Sequence, residues 1–156
     1  MTSAAHSQST ASTLRRLLLA ILILGMLGMS TELVIIGHTE DPWQWTPLVL
    51  MLLSLNVLGW YALSRGAASI RVLRIVMVLF IASGFVGITL HMKAKIEFQQ
   101  ESNPSLAGMA LYRTALQSQS PPALAPGMMI QLGLLGLAYT FHHPALGNPQ
   151  ENPANE

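Results

Sequence analysis

Long apolar stretches separated by short polar ones run through the chain, and their lengths predict its secondary structure. Four of them are each close to the ~20 residues that a helix needs to cross a bilayer. They extend from about residue 17 to 37, 47 to 63, 73 to 91 and 124 to 141. Glu32 is the only charged residue inside the first. The pattern predicts an all-α membrane protein whose four transmembrane helices form a small bundle.

The segment 92–123, between the third and fourth spans, divides into two parts. Lys93, Glu97 and Glu101 recur every four residues, so they share one face if the third helix continues outward. Asn103 and Pro104 then match a helix start, a capping residue followed by a first-turn proline. An apolar stripe follows at helical spacing, formed by Leu106, Met109, Ala110, Arg113 and Leu116. We expect a short amphipathic helix lying on the outer leaflet.

Both ends of the chain are polar. Residues 1–16 are rich in Ser, Thr and Ala, and residues 142–156 hold three Pro and three Asn. Such segments bury too little apolar surface to fold alone, so we expect two disordered cytoplasmic tails. Arg15 and Arg16 before an apolar stretch also fit a signal peptide cleaved near Ser30. The full spanning length favours a retained helix, and cleavage stays open as an alternative.

The positive charges predict the orientation, because Lys and Arg near short loops are retained in the cytoplasm. Five of them flank one side of the predicted bundle: Arg15, Arg16, Arg65, Arg71 and Arg74. The other side carries three, diluted by four acidic residues. Trp43, Trp45 and Trp60 fall near the span boundaries, where indole rings are enriched. The sequence therefore predicts a multi-pass protein of the inner (plasma) membrane with both termini cytoplasmic.

Composition narrows the possible functions. The chain is 51% hydrophobic and 10% charged, with a net charge of +1 and no basic block, so nucleic acid is not an expected partner. Cysteine is absent, which leaves His and carboxylates as the expected metal ligands. Common hydrolase and nucleotide-binding motifs are missing from the sequence. We expect a protein that is not an enzyme, and we predict no cofactor.

Small and polar residues inside the spans predict how the helices pack. Close helix contacts are expected at Gly25, Gly28, Ser83, Gly87, Gly133 and Gly136, since small residues let backbones approach. Asn56, Ser83 and Gln131 fall at similar depths in three different spans. They predict a mid-membrane layer of interhelical hydrogen bonds.

Glu32 marks a candidate functional site, because a carboxylate inside a membrane span is costly. His38, His91 and Glu97 are expected at the same outer end. The plainest interpretation is an ion pair that fixes the bundle. Three alternatives stay open: a divalent metal site formed by these four residues, a haem held by His38 and His91, and a proton path through Glu32 and His91.

These patterns favour a structural or accessory subunit of a larger membrane complex. Its expected partners are the lipid bilayer and either another membrane protein or a second copy of the chain. The alternative is a small transporter or ion-binding protein that uses the outer cluster around Glu32 and His91. Four spans without internal duplication are few for an autonomous transporter, so the accessory role is preferred.

Overall fold

A computed structural model describes residues 2–117 and 124–147 of the chain. Within these ranges the structure is helical and contains no strand. The helices are α1 (Thr2–Ile35), α2 (Pro42–Ser64), α3 (Ala67–Ser102), α4 (Gly108–Leu116) and α5 (Leu124–Thr140), followed by a 3-10 turn at Pro144–Leu146. By length and composition α1, α2 and α3 can each cross a membrane, and α5 is a shorter apolar helix. The predicted all-helical class is confirmed, and three of the helices are candidates for membrane spans.

Four of the helices pack side by side around one apolar core. α3 contacts α2, α4 and α5, most extensively α5, while α1 packs against α2 and α5. The neighbours therefore follow the order α1, α2, α3, α5 around the bundle. The largest fully buried side chains include Phe80, Leu22, Met26, Leu33, Met51 and Leu73. Each predicted span supplies part of this core, so the four apolar stretches fold as one unit.

At one end of the bundle, which we call the arginine end, Arg15 and Arg74 meet the last turn of α5. The Arg74 guanidinium donates to the Thr140 carbonyl at 2.6 Å and to the Thr140 hydroxyl at 3.2 Å. Arg15 donates to the carbonyl of His142 at 3.2 Å. Cations at a helix C-terminus satisfy free carbonyls and oppose the negative end of the helix dipole. Residues from α1 and α3 thus fasten the end of α5.

At the opposite end, which we call the histidine end, His38 and His91 come together. α1 ends at Ile35, and Gly37 has a φ of +69°, a conformation that favours glycine. This turn lets the His38 backbone N–H donate to the Leu33 carbonyl at 2.9 Å. The chain therefore folds back over the end of α1 before α2 begins.

The second helix begins five residues earlier than the predicted start at residue 47. Asp41 caps α2: its Oδ1 accepts the backbone N–H groups of Trp43 at 2.7 Å and Gln44 at 3.2 Å. Pro42 occupies the first turn, where its missing N–H is tolerated. Pro47 lies inside the helix, where it cannot donate to the Trp43 carbonyl.

The predicted disordered tails differ from what the structure shows. α1 already begins at Thr2, and residues 2–16 contain neither Gly nor Pro to interrupt it. At the other end, a 3-10 turn follows α5 and His143 is buried, so residues 142–147 are packed against the bundle. The rest of the predicted C-terminal tail, residues 148–156, lies outside the described residues.

The connection between α3 and α5 contains the predicted outer helix, but it starts later than expected. α3 runs on to Ser102, and Asn103 ends it by donating its backbone N–H to the Gln99 carbonyl at 2.9 Å. Asn103 is thus the end of one helix rather than the start of the next, and α4 begins only at Gly108. α4 buries Leu111 and Ala115, on its side nearest α3. Most of the predicted apolar stripe faces outward: Met109, Ala110, Arg113 and Leu116 are exposed and Leu106 is half-buried.

Candidate functional site

A cavity of about 330 Å³ opens at the histidine end, where α1, α2, α3 and α5 converge. Its walls combine apolar side chains with polar ones, among them Met29, Leu33, Met129, His38, His91 and Gln44. A volume near 300 Å³ lies at the small end of the range for ligand cavities in proteins. The cavity is large enough for an ion with its ligands or for a small molecule.

Two imidazoles from distant parts of the chain share this cavity. The ring centroids of His38 and His91 lie 6.0 Å apart, and the rings are nearly parallel at 17°. Both side chains are half-buried. Within the described residues, neither imidazole makes a hydrogen bond. The turn at Gly37 positions His38, and α3 carries His91, so this pair depends on how the helices pack.

Glu32 does not join the two histidines. It is exposed on the outside of α1, while its neighbour Leu33 is buried in the core and lines the cavity. Adjacent residues on a helix point about 100° apart, so the two cannot share a direction. Among the described residues the carboxylate of Glu32 forms no ion pair. The ion pair that the sequence predicts for Glu32 is therefore absent from the part of the chain that the structure describes.

Glu97 lies beyond the cavity on the outer part of α3. Its Oε1 is 3.7 Å from the Nζ of Lys93, one helical turn earlier, and both side chains are exposed. The two residues share a face as predicted, and Glu97 is ~9 Å further along the helix than His91. No three His, Asp or Glu side chains in the described ranges are grouped as metal ligands. The structure thus brings together His38 and His91 but not Glu32 and Glu97.

Several residues that line the cavity are not part of the site predicted from the sequence. Gln44 and Thr46 line it because α2 starts at Pro42, and the Asp41-Pro42 pair is a helix-start signal that points to this. Met29 and Met129 line it from α1 and α5. Both also belong to the buried core, and nothing in the apolar pattern marks them as cavity residues.

Four glycines lie where α3 and α5 touch. A Cβ added to Gly84 would lie 2.7 Å from the Pro126 carbonyl oxygen, and one added to Gly133 would lie 2.7 Å from the Met77 carbonyl oxygen. Gly87 faces Pro126, and Gly136 contacts Met77. In α1, Gly25 faces Leu132, whereas a Cβ on Gly28 would meet open space. Each glycine named here except Gly28 therefore lies at a contact between two helices of this chain.

The polar residues at mid-depth do not form the predicted interhelical layer. Asn56 is exposed on α2 and donates to the Leu52 carbonyl of its own helix at 2.8 Å. The Ser83 hydroxyl donates to the Phe80 carbonyl at 2.9 Å, also within one helix. Gln131 is exposed on α5. The core between the helices is filled by apolar side chains, which leaves Asn56 and Gln131 on the outside.

His143, which falls in the predicted C-terminal tail, is buried at the arginine end. Its ring meets Tyr61 and Tyr139 edge-on, with centroids 5.2 Å and 5.3 Å away. Its Nδ1 accepts the backbone N–H of Ala145 at 3.2 Å. Burial lowers the pKa of His143 below its usual value, and the charges of Arg15 and Arg74 lower it further. The neutral imidazole is therefore the form that fits this site.

Comparison with known proteins assigns no family. No family model, curated protein or solved structure matches the chain. Function is therefore inferred from the cavity at the histidine end and from the polar side chains on the outer surface of the helices.

Proposed function

We propose that this chain is a non-enzymatic accessory subunit of a larger complex in the inner (plasma) membrane, and that it docks through α2. The observation that carries the proposal is the position of Asn56. Its side chain is exposed on the outside of the bundle, ~21 Å from the start of α2 and ~12 Å from its end. At that depth the surroundings of a membrane helix are either hydrocarbon or another protein.

The amide of Asn56 has more hydrogen-bonding capacity than its own helix uses. One N–H donates to the Leu52 carbonyl, while the second N–H and the side-chain oxygen have no partner in the described residues. Unpaired amide groups are unfavourable in hydrocarbon by several kcal/mol. A polar side chain on a neighbouring helix removes that penalty, and such hydrogen bonds contribute ~0.6–2 kcal/mol each. Asn56 therefore favours a partner helix over lipid.

The rest of this face suits close helix contact. Exposed residues recur along it at helical spacing: Val49, Leu52, Asn56, Gly59 and Leu63. A Cβ at Gly59 would meet nothing within 4 Å, so a second backbone has room to approach beside Asn56. We infer that the partner is a transmembrane helix with a polar side chain at mid-depth. This contact surface, Val49 to Leu63 on the outside of α2, is the α2 face.

The same proposal includes four membrane crossings with both termini cytoplasmic. α5 has 17 residues, a length of ~26 Å, which nearly matches a hydrocarbon core of ~30 Å. Arg15, Arg65, Arg71 and Arg74 belong to the arginine end, in keeping with a cytoplasmic location for that end. An ion-transport role centred on Glu32 and His91 has weaker support, because Glu32 faces away from the cavity.

Photo-crosslinking in the living cell tests the docking role. A benzophenone amino acid replaces Asn56 in one variant and Val78, exposed on the outside of α3, in a matched control. We expect a protein adduct from position 56 and only lipid adducts from position 78. Mass spectrometry of the adduct then identifies the partner, and a dimer of this chain would mean that the partner is a second copy.

A substitution series supplies the second arm of this test. Asn56→Leu should cut the amount of partner recovered in mild detergent, while Asn56→Gln, which keeps an amide, should retain most of it. Val78→Ala, at the exposed position on the outside of α3, is the control for surface change. Lipid adducts alone at position 56, with a monomeric protein in detergent, would refute the proposal.

A further inference from the structure

We propose that the arginine end binds the phosphate headgroup of an anionic phospholipid, and that Arg15 and Arg74 hold this headgroup beside the last turn of α5. An open groove of about 640 Å³ lies at this turn, and Arg74 forms part of its wall. The site lies at the opposite end of the bundle from the histidine cavity. It is a further binding site, independent of the docking role of α2.

Arg15 and Arg74 are half-buried, and their hydrogen-bond partners in the described residues are all uncharged oxygen atoms. Arg74 donates to the carbonyl and the hydroxyl of Thr140, and Arg15 donates to the carbonyl of His142. Charged groups that are partly removed from water are usually paired with an opposite charge. Both guanidinium groups also meet the same turn, where their like charges repel each other. An anion beside them would reduce both penalties.

No carboxylate of residues 2–117 and 124–147 supplies this opposite charge. All of the carboxylates in these ranges lie toward the histidine end: Glu32, Glu40, Asp41, Glu97 and Glu101. Glu32, on the same helix as Arg15, is ~26 Å further along it. The two remaining carboxylates of the chain, Glu151 and Glu156, lie outside the described residues. The charge at the arginine end therefore favours an anion from outside the bundle.

Both guanidinium groups keep N–H donors for a phosphate. A guanidinium has five of them. Hydrogen bonds to described residues use two in Arg74 and one in Arg15. Guanidinium groups bind phosphate oxygens through pairs of N–H groups, and these charge-assisted bonds are stronger than bonds to neutral acceptors. A phosphate can therefore bind without displacing the contacts that fasten α5.

The surroundings of the two arginines favour a phospholipid over free phosphate. The groove has apolar walls as well as polar ones, formed by Leu137, Phe141 and Leu146. Phe141 is 68% exposed directly after the end of α5, where an apolar helix reaches the headgroup layer of a membrane. Basic pockets between helix ends bind acidic lipid headgroups in other membrane proteins. A phosphodiester that carries acyl chains matches both the charge and the apolar walls.

The test is a lipid titration of the full-length protein in mild detergent. The probes are phosphatidylglycerol, which is anionic, and phosphatidylcholine, which has a phosphate but no net charge. Native mass spectrometry measures the bound lipid, and the Tm reports the stabilisation that binding produces. A basic residue beside an anionic headgroup gives about a fivefold gain in affinity, so two of them predict a ~25-fold preference for phosphatidylglycerol.

Arginine variants assign the site. Arg15→Gln and Arg74→Gln should each lower the preference for phosphatidylglycerol by about fivefold. The matched controls are Arg16→Gln and Arg71→Gln, which remove the same charge at exposed positions of the same end. Because salt screens exposed charges, the controls should lower the preference by less than ~2-fold.

A variant in the groove wall tests the site without removing either arginine. Gly147 is exposed there, and its φ of −66° is a conformation that any residue adopts. The carboxylate introduced by Gly147→Glu should compete with the phosphate and abolish the preference for phosphatidylglycerol. Gly147→Gln, which has the same size but no charge, should retain it. The contacts that fasten α5 are unchanged in both variants.

Three results would overturn the proposal. One is equal binding of the two lipids by the wild type. Another is an equal loss of preference in all four arginine variants, which would mean a diffuse attraction rather than a site. The third is a rise in Tm with inorganic phosphate as large as that with phosphatidylglycerol, which would mean that the groove takes a free anion. Circular dichroism and detergent gel filtration of each variant separate lost binding from lost folding.

Discussion

At the scale of single residues, His143 shows how burial decides the protonation of a titratable group. The ring is 4% exposed, lies between two tyrosines and accepts a backbone hydrogen bond at Nδ1. Protonation of Nδ1 would remove the acceptor of this hydrogen bond, and the new N–H would face the backbone N–H of Ala145. Burial and the nearby arginines act in the same direction, and both keep the pKa of His143 below its usual value.

This environment predicts that the protein loses stability on acidification. The unfolded chain takes up a proton at His143 near pH 6.5, whereas the folded chain does so only at lower pH. The contribution of His143 to the free energy of unfolding is therefore complete above pH ~6.5 and falls as the pH drops through its lowered pKa. We expect the Tm in detergent to decrease between pH 7.5 and pH 5.5.

The variant His143→Asn isolates this residue, since it keeps an acceptor for the Ala145 N–H but cannot titrate. We expect its Tm to depend less on pH than that of the wild type. His142→Asn, at the exposed neighbouring position, should retain the wild-type pH dependence. Identical pH profiles for His143→Asn and the wild type would show that His143 is not the group responsible.

At the scale of elements, the contact between α3 and α5 depends on glycines. The backbones approach so closely that the carbonyl oxygens of Pro126 and Met77 lie 2.7 Å from the positions where a Cβ on Gly84 or Gly133 would be. Backbone atoms cannot move aside as a flexible side chain can. This contact is the most extensive in the bundle, so α5 owes its position largely to α3.

The glycine contacts predict opposite results for two similar substitutions. Gly84→Ala places a Cβ within 2.7 Å of the Pro126 carbonyl oxygen and should cost ~1–3 kcal/mol in the free energy of unfolding. Gly28→Ala meets open space and should change that energy by less than ~1 kcal/mol, in the stabilising direction. SDS titration in mixed micelles, followed by tryptophan fluorescence, measures both. Equal stability of the two variants would contradict the close contact of α3 and α5.

At the scale of the whole molecule, two clusters of polar groups lie at opposite ends of the bundle. The arginine end holds Arg15, Arg74 and the last turn of α5, and the histidine end holds His38, His91 and the first turn of α2. Adjacent helices run in opposite directions between them. If all four helices cross the membrane, the two ends face opposite compartments and the cavity opens on the outer side.

The absence of cysteine makes this arrangement simple to test with single-cysteine variants. Ser12→Cys, Ser105→Cys and Gly147→Cys each place one thiol at an exposed position. In intact cells, a membrane-impermeant maleimide should label only Ser105→Cys, because the proposed topology places the arginine end in the cytoplasm. The other two should react after lysis. Labelling of Gly147→Cys together with Ser105→Cys would mean that α5 does not cross. Labelling of Ser12→Cys and Gly147→Cys but not of Ser105→Cys would mean that the orientation is reversed.

The sequence by itself determined the fold class and the approximate place of each long helix, because bilayer-length apolar stretches leave the backbone few alternatives to a helix. It also contained the start of α2, since Asp41 and Pro42 form a local signal that acts without tertiary contacts. The outer helix was less predictable. Asn103 can end a helix as readily as it can start one.

Only the tertiary structure decided which way each polar side chain faces. Glu32 and Leu33 are neighbours in the same apolar stretch, yet one is exposed and the other is buried in the core. In a stretch that is apolar all round, the pattern does not mark an inner face, so packing against α2 and α5 sets the rotation of the helix. Packing likewise leaves Asn56 of α2 on the outside and places Met29 in the wall of the cavity that His38 and His91 also line. The composition of the candidate site is therefore a property of helix packing rather than of local sequence.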